Sequence, residues 1–209
     1  MSRITSALGF LGLAVVLLFA APAANAASPA ESFVQTNIDK GLQILNGRSG
    51  SSAQRTAQFQ SFLESLTDIG RIAKFTLGNA RRGASDADVA SFNAAFKSYA
   101  QAVYQSRLSA YTNQTLKVTG STERAPGDII VKTTLVDPSQ SGQQPLEVDF
   151  RVLTDGARMV VVDVSIAGVW LAIEERDQFQ AFLAQHNNSI PALVAHLNQL
   201  TAQLRQKIQ

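Results

Sequence analysis

VKTTLVDPSQSGQQPLEVDFRVLTDGARMVVVDVSIAGVWLAIEERDQFQAF, residues 131–182, holds the change of pattern that decides the fold. Between Glu147 and Val152, Val148, Phe150 and Val152 alternate with Glu147, Asp149 and Arg151, the period of a half-buried strand. Asp155-Gly156 favours a tight turn into a second strand, Met159 to Ala167. Strict alternation puts Val160, Val162, Val164 and Ile166 on one face of that strand, with Asp163 and Ser165 pointing away, like Asp149, to the wet side. After Gly168-Val169-Trp170, Arg176-Asp177-Gln178-Phe179 leads into a helix from about Asp177 that carries Phe179, Phe182 and Leu183.

Upstream, the same period runs through Leu116 and Val118, a Pro126-Gly127 turn, and Ile129, Val131, Thr133 and Leu135. The strands form a four-stranded antiparallel meander with one dry face and one wet.

Elsewhere the period is helical. Ser28-Pro29-Ala30-Glu31 is a capping box with proline at the first helical position, and Phe33, Val34, Asn37, Ile38, Gly41, Leu42 and Leu45 follow on one face. A second helix from about Ala53 presents Phe59, Phe62, Leu63 and Leu66, and a short third carries Ile72, Phe75 and Leu77. The segment from Gly78 to Gly83 reads as a loop and lacks the Lys-Ser/Thr ending of a phosphate-binding loop. Ser85 caps a long helix running to about Tyr111, with Asp86 and Asp88 at the positive end of its dipole. Its stripe of Val89, Phe92, Phe96, Tyr99 and Val103 shades into Tyr104 and Leu108. That stripe fits a central core helix, and equally a wall whose tyrosines line the mouth of an apolar cavity. Ser189 and Pro191 start the last helix. About six helices on the dry face of one antiparallel sheet make an α+β domain.

Composition narrows the function. Arg3 precedes an apolar run from Ala7 to Ala21 ending at Ala24-Asn25-Ala26, the pattern of an export leader cleaved after Ala26. Residues 27–209 then form a single domain large enough for its own core. The chain has no cysteine, which excludes disulfides, thiolate metal sites and a lipidated N-terminal Cys. Its formal charge of +2, or +1 without Arg3, and basic residues scattered singly apart from Arg81-Arg82 give no nucleic-acid footprint. His186 and His196 lack a carboxylate at metal-ligand spacing and read as surface residues. No Gly-x-Ser-x-Gly elbow occurs, and Glu174-Glu175 reads as a solvated helix start. No catalytic residue, metal or cofactor is expected, and the chain does not read as an enzyme.

The order of elements, together with Leu135-Val136-Asp137-Pro138, Val148-Asp149-Phe150, Asp163 to Val169, Arg176 to Phe179 and the long helix, resembles the MlaC, or toluene-tolerance, family of the maintenance-of-lipid-asymmetry pathway. The resemblance covers about residues 30–205. Trp170 departs from it, since the family usually places a small polar residue such as serine after Gly168-Val169, and a large ring there would narrow or reshape a pocket. The resemblance implies a periplasmic phospholipid carrier of a Gram-negative cell, holding acyl chains in an apolar cavity between helices and sheet. It also implies two partners: an outer-membrane lipoprotein-porin complex, and an inner-membrane ABC transporter complex bearing a substrate-binding ring. On this reading Phe92, Phe96, Tyr99, Val103 and Tyr104, with Phe75, form one lipid-binding wall. Val148, Phe150, Val162, Val164, Ile166, Val169 and Trp170 form the other. Plain core packing is the competing account of every one. The rival class is a nuclear-transport-factor-2-like isomerase or hydratase, which needs an ionisable group inside the pocket. An export chaperone would instead call for a mostly β half-barrel.

Overall fold

The computed structural model describes residues 27–47, 49–109, 114–137 and 144–207. The expected leader at residues 1–26 and the expected Tyr111 end of the long helix lie outside them. Helix α1, Pro29–Leu45, opens on the capping box: Ser28 accepts from the Glu31 amide while the Glu31 side chain accepts from the Ser28 amide. Ser51 and Gln54 repeat the device at α2, Ser52–Leu66. Asp68 caps α3, Ile69–Leu77, by accepting from the Arg71 amide, and Gly78 ends that helix at φ 59°, a conformation a side chain resists. Residues 78–83, expected as a loop, wind into a 3₁₀ turn. The long helix is α4, Asp86–Ser109, with the Ser85 hydroxyl accepting from the Asp88 amide at 3.1 Å.

The sheet comprises β1 Thr115–Ala125, β2 Asp128–Val136, β3 Leu146–Asp155, β4 Arg158–Ile166 and β5 Val169–Trp170, antiparallel in sequence order. Four are the expected meander, and β5 is an addition too short for any alternation to announce. Ala167 and Gly168, at φ 50° and 83°, make the two-residue turn that folds Val169 back onto Ile166. On the same side of β4, Thr67 forms a parallel bridge with Val161.

One bulge corrects the expected facing of β4. Arg151 pairs with Asp163 but Val152 pairs with Val161, so Val162 is an extra residue in the ladder. Below the bulge the alternation inverts. Val161, Val164 and Ile166 share a face with Val148, Phe150 and Val152, whereas Val160 and Val162 share the other with Asp163 and Ser165.

That other face is covered at β4, so Asp163 and Ser165 are not wet: they are 8% and 2% exposed. Asp163 Oδ1 accepts from the Val164 amide at 2.8 Å and from the Ala172 amide at 2.9 Å. The second bond caps α5, Leu171–Gln185, whose own N-cap Trp170 supplies no side-chain acceptor. The helix therefore begins at Leu171, six residues before the expected start at Asp177. Helix α6, Ile190–Gln206, is capped by Ser189 as the sequence indicates.

Two cores result. Helices α3 to α6 bury Phe92, Phe96 and Phe179, the last set edge-on to the other two with centroids 6.0 and 6.2 Å away. Helix α1 packs Ala30 and Val34 against Val131, Val152 and Val161 of the sheet. His186 and His196 stack on Phe182 with centroids at 3.9 and 4.5 Å. Among the described residues no cluster of His, Asp and Glu has metal-ligand grouping, and no helix is long and apolar enough to cross a membrane.

Candidate functional site

Between α1, α2 and the sheet lies a cavity of about 490 Å³. Its roof is the apolar stripe of α1, with Phe33, Ile38, Leu42 and Leu45 at helical spacing. Helix α2 supplies Phe59, Phe62, Leu63 and Leu66, and none of its residues is fully buried. A helix whose whole apolar face stays half-exposed is facing empty volume rather than protein. Gly41 lets α1 and α2 close: a Cβ there would meet the Phe59 and Phe62 rings at 3.2 and 3.3 Å.

The sheet forms the floor through Leu116, Leu135, Leu146, Val148, Phe150 and Ile166, with Val161 brought to this side by the bulge. The end of α4 contributes Tyr104 and Arg107. Burial raises the Tyr104 phenol above its usual range, and the Asp163 charge adds to this, so the hydroxyl stays protonated. Arg107, Gln114 and Asn37 are the other polar lining groups; Gln114 donates to Asp137 at 3.2 Å and Asn37 to the Phe33 carbonyl at 2.8 Å. Among the described residues, the lining contains no Asp, Glu or His. Such a site offers mainly apolar contact, with Arg107 as the cation among its described lining residues.

Of the wall residues expected from the sequence, Tyr104, Val148, Phe150 and Ile166 meet here. Phe92 and Phe96 lie in the helical core, and Val164 packs with the sheet core. Tyr99 is half-buried between α4 and α5, where its hydroxyl donates to Glu175 at 2.9 Å. Burial raises both groups above their ordinary values, so Glu175 is not the solvated helix start it was expected to be. Val103 is half-buried on α4 outside the lining. Val162 faces a small cleft beside Asp163, and Phe75, 37% exposed, lies on α3 beside Arg176. Val169 is exposed, and Trp170 is half-buried at the start of α5, outside the cavity that its ring was expected to narrow.

The lining that sequence reasoning missed comes from α1 and α2, whose stripes it read as amphipathic helix faces and assigned to no site. A signal was present: Asn37 interrupts the α1 stripe, and asparagine is mostly an exposed residue type.

A family model described as MlaC protein matches residues 35–199. Among solved structures, a phospholipid-binding protein from Ralstonia solanacearum, solved in complex with a phospholipid, superposes with a TM-score of 0.72 at 24% identity. The alignment covers 85% of this chain and 99% of that one, which establishes the shared fold. A search of curated protein sequences returns no match.

Proposed function

The chain belongs to the MlaC family, and from that premise we propose that it is an exported phospholipid carrier whose acyl chains occupy the cavity between α1, α2 and the sheet. The observation that carries the reading is the cavity itself: about 490 Å³ within a mainly apolar lining that, among the described residues, holds no carboxylate. Its volume lies in the ordinary range for small-molecule sites, roughly 300–1,000 Å³. The lipid-binding set is Tyr104, Val148, Phe150 and Ile166, already expected, joined by Phe33, Ile38, Leu42, Phe59, Phe62 and Leu63. Arg107 is the cation available to a phosphate head group.

The energetics favour a shuttle that depends on partners. Each buried methylene is worth about 0.8 kcal/mol, so two acyl chains offer tens of kcal/mol gross and spontaneous release is slow. Unloading then requires a partner that binds an open conformation more tightly than the closed one. The outer-membrane lipoprotein-porin complex and the inner-membrane ABC transporter complex with its substrate-binding ring are the proposed partners. Residues 1–26 are the proposed leader, placing the mature chain from Ala27 in the periplasm. An isomerase or hydratase would need an acid in the cavity, which the described lining does not supply.

Native mass spectrometry of the exported protein, with organic extraction and lipid analysis of the same sample, tests this. Phospholipid recovered at about one molecule per chain, on a polypeptide starting at Ala27, is the expected result. A bare polypeptide that takes up no lipid from labelled vesicles would refute the carrier.

A further inference from the structure

A second concavity, of about 570 Å³, shares no lining residue with the apolar cavity. It lies where α3, the 3₁₀ turn and α5 meet, and Arg71, Lys74, Arg81, Arg82 and Arg176 line it against a single carboxylate, Asp68. Asp68 Oδ2 lies 3.5 Å from the Arg71 guanidinium, whereas no carboxylate among the described residues pairs with Lys74, Arg81 or Arg82. In a chain whose formal charge is only +2, this concentration of one sign is local. The cleft also has an apolar element: Phe75 is 37% exposed, with the Arg176 guanidinium 5.0 Å from its ring centre. That contact restrains Arg176 without consuming its N–H donors.

We infer that this cleft docks an acidic segment of a partner protein, one carrying several Asp or Glu side chains beside an apolar residue that rests on Phe75. Shape and charge decide among anions. Five cations spread over three elements exceed what a single phosphate engages, and a flat bilayer surface cannot follow a concave floor. An extended acidic peptide does both, and arginines offer its carboxylates paired donors. The site stands on its own charges and does not depend on the lipid-carrier reading.

The test is fluorescence anisotropy of a labelled octaglutamate peptide titrated with the purified full chain at low and high salt. Binding at low salt that weakens with salt is expected, with affinity at least tenfold lower in the R81E/R82E variant and in the milder Lys74→Gln variant. Lys40→Glu and Arg205→Glu, outside the cleft, should leave it unchanged. Circular dichroism confirms that each variant is folded. Equal binding by R81E/R82E, an equal loss in Lys40→Glu, or no binding at all would overturn the inference. So would capture of the chain by phosphatidylglycerol vesicles through Arg81 and Arg82 without peptide binding, which would assign the cleft to a lipid surface.

Discussion

Asp163 is a buried carboxylate holding two backbone amides of different elements, one in its own strand and one at the start of α5. Removing it in Asp163→Ala strands both donors, and the expected loss is about 1–3 kcal/mol, measured as a lower urea midpoint at unchanged slope. Glu175 makes a complementary case. Burial raises its carboxyl above the usual 4.5, so the folded state holds that proton more tightly than the unfolded chain. Its contribution is therefore fully present below pH 4.5 and is lost as pH rises through the elevated folded value. In Glu175→Gln, which keeps an acceptor for the Tyr99 hydroxyl, that dependence disappears. Urea midpoints of variant and wild type across pH 4 to 7 should diverge as pH rises, the variant being relatively more stable near neutrality; a constant gap would refute the assignment. Neither role is legible in the sequence. Alternation put Asp163 on the face opposite Val164, where the structure has it; that this face is covered at β4 by the start of α5 is a tertiary fact.

At the scale of elements, what the sequence disclosed follows from how local each signal is. Helix starts at Ser28, Ser85 and Ser189 were recognisable because donor and acceptor lie within three residues. The start of α5 was misplaced because its cap comes from β4, nine residues away in sequence. The α1 and α2 stripes showed their helical period plainly and said nothing of what they face. Two substitutions separate a cavity wall from a core. Phe92 is fully buried among Phe96 and Phe179, so Phe92→Ala should cost about 3–5 kcal/mol and leave little folded protein. Phe62 faces the cavity from a helix without a fully buried residue, so Phe62→Glu should cost less than about 1.5 kcal/mol yet abolish lipid recovery. Urea titration paired with lipid extraction reads both quantities, and equal destabilisation would return α2 to the core.

For the whole molecule, the α+β architecture was readable because a switch of period from 3.6 to 2 and back survives any detail of packing. The cavity was not, since an empty volume has no residue of its own and the apolar stripe of a cavity wall has the same period as that of a core element. Ligand binding should nonetheless register globally. A lipid present at a hundredfold excess over its dissociation constant adds about 2.7 kcal/mol, roughly 5–10 °C in Tm for a domain of this size. Stripping lipid by reversed-phase chromatography and refolding should lower Tm by that amount, and adding phospholipid back should restore it; an unchanged Tm would argue against occupancy of the cavity.

The small hairpin after β4 has a consequence for life at high concentration. A sheet ending in a long bare strand offers its amides to the next molecule, and crowded chains can join there into fibrils. Here Val169 and Trp170 occupy one part of that border and Thr67 another, while the opposite border at β1 carries Lys117, Glu123 and Arg124 and is broken by irregularities at Gly120 and Ala125. Both margins are thus closed to strand exchange. The carrier proposed above could open and close repeatedly without becoming a template for its neighbours.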